Sequence, residues 1–217
     1  MTNFYQQLQT PATPDLPNPQ ESYDRLTVSQ TNAALRTFFL KLTNVLQTLA
    51  SPRGGKYLNN PYGAFQDGTD QTAANTTTAY AITFDTTDFN NGVTLSNSSR
   101  LNVSQAGIYN IQFSVQLTNT TNAPQDVDIW FRKNGTNIDK SNSRFGFAAR
   151  KSPSDPFHIV AAMNLFVSLD TNDYVELMWR PTDVGVAIEH YAASSTPTRP
   201  VIPSVIATVT FVSNLSA

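Results

Sequence analysis

The clearest pattern in the chain is a strict alternation of apolar and polar residues in its second half. It follows Gly107, occurs again before the triplet Lys133-Asn134-Gly135, and follows Asp173. Period-2 alternation indicates a β-strand with one buried face, and Asn-Gly favours a hairpin turn because both residues tolerate a positive φ. The apolar positions of the three predicted strands are Tyr109, Ile111, Phe113, Val115 and Leu117, then Val127, Ile129 and Phe131, then Val175, Leu177 and Trp179.

Two further stretches, residues 159–169 and 201–212, are apolar on both faces. A strand that is apolar on both faces is buried on both, whereas a strand in a two-layer sandwich normally has one face in water. We therefore expect a neighbouring subunit to cover the outer face. The alternative is a loop or a helix of the same chain folded over the sheet. The candidate trimer-interface residues are Trp130, Phe166, Val205, Val209 and Phe211.

About nine short strands separated by turn signals predict an all-β fold, either a sandwich or a jelly roll. The predicted β domain, called the head below, occupies residues 62–217.

One helix is predicted ahead of the head, over residues 27–51. Thr27 is its expected N-cap, with Gln30 at the capping-box spacing, and Pro52, Gly54 and Gly55 end it before a linker at residues 52–61. Apolar residues spaced by three and four favour a trimeric bundle or docking on a larger host surface. The alternative is packing against the chain's own β domain. The expected oligomer-helix residues are Val28, Leu35, Phe38, Leu42, Val45 and Leu49.

Residues 1–26 are rich in proline and predict an extended arm. Proline removes backbone donors and holds φ near the polyproline value, which excludes a helix or an inner strand. Apolar residues spaced along such an arm suit a docking peptide that fills pockets on a partner; the alternative is a disordered tail. The expected anchoring residues are Phe4, Tyr5, Leu8, Leu16 and Tyr23.

Composition excludes several functional classes. Charged residues make up 14% of the chain and the net charge is −2, so a basic nucleic-acid footprint is not expected. No apolar run is long enough to predict a membrane span. The first six residues have neither a basic nor an apolar region, so we expect no export signal. There is no cysteine.

Four segments in order resemble the globular heads of the tumour necrosis factor and complement collagen-subunit superfamily. They are residues 107–113 (GIYNIQF), 127–135 (VDIWFRKNG), 169–177 (LDTNDYVEL) and 205–211 (VIATVTF). The resemblance spans residues 62–212 and implies a ten-strand jelly roll that packs as a homotrimer around an apolar axis. It also implies that the doubly apolar C-terminal strand belongs to the inner sheet.

The amino-acid sequences of residues 127–135 and 173–179 resemble those of the corresponding segments in the version of this head found in virion proteins of tailed phages, especially marine and cyanobacterial ones. That resemblance implies a virion structural protein assembled in the host cytoplasm. Its partners would be further copies of itself and other virion proteins, a major capsid protein or tail proteins. We expect a trimeric capsid decoration protein, anchored by arm and helix, with heads projecting outward. The alternative is a tail or head fibre whose head binds a host receptor or glycan.

No motif predicts catalysis, a cofactor or a metal site. The two histidines, His158 and His190, lack zinc-ligand spacing, and we interpret them as surface or strand-edge residues. The aspartates of residues 67–70 and 85–88 suit turns better than a calcium loop. A hydrolase acting on a surface glycan is the least favoured hypothesis, because no recognisable carboxylate pair is present.

Trp130 has two open interpretations. It points away from Val127, Ile129 and Phe131, so its ring could stack on a sugar or lie in a subunit interface. We favour the interface, where aromatic residues are enriched.

Overall fold

The computed structural model describes residues 11–18, 21–50 and 60–215. They belong to two compact units, one ending at Asn59 and the other beginning at Asn60. The first unit contains the helix α1, Arg25–Ala50. Phe4, Tyr5 and Leu8, and the linker except for residues 60 and 61, lie outside the described residues.

The helix begins earlier than the sequence predicted. Asp24, not Thr27, is the N-cap: its carboxylate accepts hydrogen bonds from the backbone N–H groups of Leu26 (3.1 Å) and Thr27 (2.9 Å). It also accepts one from the Thr27 hydroxyl at 2.5 Å. An acidic side chain at this position satisfies free N–H groups and faces the positive end of the helix dipole. The hydrogen bond from the Thr27 side chain is the main cause of a lowered pKa at Asp24.

Residues 11–18 of the arm form neither helix nor strand and run antiparallel to α1. Leu16 and Pro17 line one cavity with the first turns of the helix, and residues 12–14 line another with Phe38 and Lys41. Of the predicted oligomer-helix residues, four are half-buried within this unit, Leu35, Phe38, Leu42 and Val45, and two are exposed, Val28 and Leu49.

The second unit contains sixteen strands. In chain order they are β1 Tyr62–Asp67, β2 Gln71–Thr72, β3 Tyr80–Ala81, β4 Thr86–Asn91, β5 Val93–Ser96, β6 Arg100–Val103, β7 Gly107–Asn119, β8 Gln125–Lys133, β9 Thr136–Asn137, β10 Ser143–Phe147, β11 Phe157–Leu169, β12 Tyr174–Pro181, β13 Val186–Ile188, β14 Ser194–Ser195, β15 Thr198–Arg199 and β16 Val205–Ser213. Six of them are only two or three residues long, and the other ten have at least four.

The ten longer strands form two antiparallel sheets of five. The first sheet has the order β4-β1-β16-β7-β11 and is extended by β13 and β2. The second sheet has the order β5-β6-β12-β8-β10 and is extended by β3 and β9. The short strands β14 and β15 pair only with each other.

The strand pairing is nested along the chain. The outermost pair is β1 with β16, followed inward by β6 with β12, β7 with β11, and β8 with β10. This connectivity makes the head an all-β, jelly-roll-like sandwich of two antiparallel sheets.

The core lies between the two sheets, and the alternation predicted for the three strands is confirmed. All eleven apolar positions of those strands are at most 4% exposed. The turn after β8 also forms as predicted, with φ of 49° at Asn134 and 82° at Gly135. The largest fully buried side chains are Trp179, Tyr109, Phe65, Phe84 and Phe131.

Candidate functional site

The two sheets differ sharply in charge. The strands of the second sheet contain eight charged residues, whereas β7, β11 and β16 of the first sheet contain no Asp, Glu, Lys or Arg. The outward side chains of these three strands therefore form what we call the uncharged face. The charged residues of the second sheet are Arg100, Asp126, Asp128, Arg132, Lys133, Arg144, Glu176 and Arg180.

Strand register arranges the uncharged face in rows across β11, β7 and β16. The rows combine apolar, amide and hydroxyl side chains without an ionised group. They are Phe166–Asn110–Thr210, Asn164–Gln112–Thr208 and Ala162–Ser114–Ile206.

Large apolar side chains protrude from this face. Phe166 is 58% exposed, Val160 54% and Ile206 41%. These side chains protrude among uncharged amide and hydroxyl groups, and the buried centre of a protein interface is likewise depleted of charge. Association through this face would remove apolar area from water. It would bury no Asp, Glu, Lys or Arg of these strands, and burying an ion is the costly step in association.

Within the single chain, residues 159–169 are buried on one face only, and cover of the outer face by a neighbouring subunit stays a prediction. In β11 the odd-numbered positions turn towards the core, while Val160 and Phe166 point outward. No other described part of the head covers their outer side, because both remain more than half exposed. Of the five interface candidates, Phe166 is the one that lies on the uncharged face.

Three other interface candidates belong to the core of their own chain. Val205 and Val209 are 0% and 1% exposed, so they offer no surface to a neighbour, and Phe211 stacks edge-on against Tyr109 at 5.6 Å. The outward positions of β16 begin with Ile206. Both faces of this strand carry branched apolar residues, so composition does not distinguish them. The signal that could have done so is the pair Thr208 and Thr210, both on the outward face.

The remaining candidate, Trp130, lies on the outer side of the second sheet, opposite the uncharged face. Its indole N–H donates to Asn137 Oδ1 at 2.9 Å. It points away from the core as predicted, but the surface around it is ionic. Asp128, two residues away, accepts two hydrogen bonds from Arg144 at 2.9 and 3.2 Å. Arg144 is therefore paired with Asp128.

A second ionic network crosses the same sheet. Glu176, 3% exposed, accepts from Arg132 at 2.8 Å, lies 3.6 Å from Arg100, and accepts a hydrogen bond from the Ser99 hydroxyl at 2.9 Å. A buried carboxylate with three partners ties β6, β8 and β12 together. Most charged residues of the second sheet are thus paired within the chain, which suits a surface that stays in water.

Both histidines of the chain lie in a polar cluster at the end of the uncharged face where β11 begins. Tyr191 Oη lies 2.7 Å from His158 Nδ1 and donates to Glu189 Oε2 at 2.8 Å, and His190 Nδ1 lies 2.7 Å from Asp70 Oδ1. Burial, and then the hydrogen bond to Glu189, raise the pKa of Tyr191 well above its usual value. A phenol held neutral in this way is a hydrogen-bonding group and a poor nucleophile.

No group of three or more potential metal ligands occurs among residues 11–18, 21–50 and 60–215. Within the same described residues, no helix is long and apolar enough to cross a membrane. Neither the protein-family models nor the curated proteins compared with this chain match it.

Proposed function

We propose that this chain is a structural protein of a virus particle that works as a homotrimer. Its heads associate through the uncharged face of the first sheet, and its arm and helix attach the trimer to other virion proteins. The observation that carries the proposal is the charge asymmetry of the head, because the uncharged face has exposed apolar side chains and its three strands contain no Asp, Glu, Lys or Arg. The nested jelly-roll-like pairing and the resemblance to phage versions of the tumour necrosis factor and complement heads support a trimer.

Attachment through the N-terminal unit has its own support. Leu16 is 44% and Tyr23 82% exposed, so both offer apolar surface to a partner. Several apolar side chains also protrude from α1, among them Val28, Phe39 and Leu46. A decoration trimer that binds only the assembled capsid lattice would stabilise that lattice by mass action, because binding selectively favours the bound state.

Charge placed on the uncharged face tests the trimer. Phe166→Asp and Ile206→Asp each place a carboxylate where association would desolvate it, so we expect light scattering after gel filtration to give a trimer for the unaltered chain and monomers for both variants. Val184→Asp is the matched control, since Val184 is 55% exposed but lies outside the first-sheet strands. A monomeric unaltered chain, or trimers that survive both charged variants, would overturn the assembly.

Imaging of particles tests the location. We expect the protein at lattice three-folds of a capsid, as a decoration trimer requires. A single ring or fibre at the tail would support the alternative, a fibre whose head binds a host receptor or glycan.

A further inference from the structure

An open pocket lies on the outer side of the second sheet, on the opposite side of the sandwich from the uncharged face. Its walls include Trp130, Asn137, Asp139, Lys140, Asn142 and Arg180. The assembly proposed above would leave this pocket facing solvent.

Trp130 presents an apolar ring to this pocket. The inward positions of β8 place Ile129 and Phe131 in the core, so the residue between them must point outward. Its only polar atom, the indole nitrogen, is already used, because it donates to Asn137 Oδ1 at 2.9 Å. The ring is partly buried and held by that bond, so what remains available to a ligand is its apolar surface.

The loop that forms the opposite wall of the pocket is fixed by hydrogen bonds on its buried side. Ser141 is 3% exposed, and its hydroxyl donates to the Ile138 carbonyl at 2.8 Å and accepts from the Phe131 N–H at 3.1 Å. Lys140 adopts a φ of 61°, a left-handed conformation that costs free energy for a residue with a Cβ. A wall fixed in this way loses little conformational freedom when a ligand binds.

The polar groups of the pocket fall into two sets. Asp128 is paired with Arg144 and lies 3.7 Å from Arg180, whose Nε donates to the Thr76 carbonyl at 2.7 Å. The side chains of Asp139, Lys140 and Asn142 make no hydrogen bond or ion pair with any described residue. An unpaired carboxylate, ammonium and carboxamide thus supply acceptors and donors at one site.

The charges that line the pocket balance. Asp128 and Asp139 equal Lys140 and Arg180 in number, so the lining has no excess of either sign that would select an anion or a cation. A ligand that matches it is neutral, carries groups that both donate and accept hydrogen bonds, and has an apolar face for the ring of Trp130. Hydroxyl groups around a sugar ring meet all three conditions. A phosphate or nucleic acid does not, since it requires an excess of basic groups.

We propose that this pocket, which we call the Trp130 pocket, binds a neutral saccharide unit. The sugar ring lies against Trp130, and its hydroxyls exchange hydrogen bonds with Asp139, Lys140 and Asn142. A homotrimer would carry three such pockets, and their combined avidity for a surface with many glycans would greatly exceed the affinity of one site.

Tryptophan fluorescence of the full-length chain tests the proposal directly. The chain has two tryptophans and Trp179 is 1% exposed, so a ligand-induced change reports on Trp130. The probes are methyl glycosides of glucose, galactose, mannose and N-acetylglucosamine, with glucuronic acid as the acidic comparison, followed by immobilised neutral and acidic glycans. We expect saturable binding of at least one neutral probe and at least tenfold weaker binding by Asn142→Ala in this assay. Trp130→Ala removes the fluorescent reporter, so its expected tenfold weaker binding is measured on the immobilised glycans.

The variants separate loss of the site from loss of the fold. Asn142→Ala removes an exposed carboxamide and should leave the thermal midpoint unchanged, as should the control Asn122→Ala, an exposed asparagine outside the pocket that should also retain binding. The proposal fails if no neutral probe binds, if only acidic probes bind, or if Asn142→Ala binds as tightly as the unaltered chain. Each of these outcomes concerns the pocket alone. The proposed trimer is tested separately, by light scattering.

Discussion

Asp173 joins the two chain segments that meet at the end of β8 and the start of β12. Its carboxylate lies 2.7 Å from Lys133 Nζ and accepts hydrogen bonds from Asn134 Nδ2 at 2.6 Å and from the Asp170 N–H at 2.7 Å. Burial raises the pKa of this carboxyl group, but the hydrogen bonds from Lys133, Asn134 and the Asp170 N–H, with the charge of Lys133, together outweigh it and hold the pKa below the usual 3.8. The ionised carboxylate of Asp173 therefore stabilises the contact between the turn after β8 and the start of β12.

The stability of the head should depend on pH through this group. A native pKa below the unfolded value contributes stability that is present above about pH 4 and is lost as pH falls through the native pKa. We expect Asp173→Asn to lower the free energy of unfolding by about 1–3 kcal/mol at pH 6, and the deficit to shrink towards pH 2. Urea unfolding at several pH values measures it.

The control for this effect is Asp155→Asn, since Asp155 is exposed and its contact with Lys151 is 3.7 Å long. It should change the free energy of unfolding little at any pH. If the loss of unfolding free energy in Asp173→Asn stayed constant from pH 6 to pH 2, the charge of Asp173 would not be what stabilises the contact between the turn after β8 and the start of β12.

Gly107 opens β7 where the backbone meets β16 closely. A Cβ added there would overlap the ring of Phe211 and lie 2.8 Å from the Ser213 carbonyl oxygen. We expect Gly107→Ala to lower the free energy of unfolding by about 1–3 kcal/mol, because the strands must move apart. Gly68→Ala is the control, since its nearest contact would be an ordinary 3.5 Å; equal effects in chemical denaturation would contradict this explanation.

At the scale of elements, the second sheet depends on Glu176. It is the shared partner of Arg100 and Arg132, so its removal leaves two guanidinium groups without a counter-ion. We expect Glu176→Ala to lower the free energy of unfolding by about 2–3 kcal/mol, as measured by urea denaturation.

Glu176→Gln is the matched variant, because it keeps the size of the side chain and can still accept from Ser99. It should cost less than the alanine variant. Equal losses from both variants would assign the whole effect to charge, and no loss from either would refute the network's contribution.

The alternation in β7, β8 and β12 could be read from the sequence because most residues on one face of each strand are polar, with Ile108, Trp130 and Met178 as the exceptions. In β11 and β16 both faces carry apolar residues. The two-residue period then separates the side chains into two sets, one for each face of the strand, but it does not show which set enters the core. The choice depends on register: Val205 pairs with Val115, and that pairing turns Val205 inward and Ile206 outward.

At the scale of the whole molecule, deletion of the arm tests the proposed attachment. Deletion of residues 1–25 should leave a soluble trimer by light scattering and abolish sedimentation with virus particles, because the proposed apolar docking residues are removed while the uncharged face is retained. The intact chain is the positive control. A truncated protein that still co-sediments would assign attachment to another surface, and a truncated monomer would assign assembly to the N-terminal unit.

The sequence by itself determined the secondary structure class, the strands with one polar face, the turn at Asn134-Gly135, and the presence of one helix. These follow from side-chain periodicity and local backbone preference, which act over a few residues. Only the tertiary structure decided that β7, β11 and β16 lie side by side, so that three uncharged strands form one face. It alone brought Trp130, Asn142 and Arg180 together around one pocket. Both results depend on strand order and register, which are set by contacts between residues far apart in the chain.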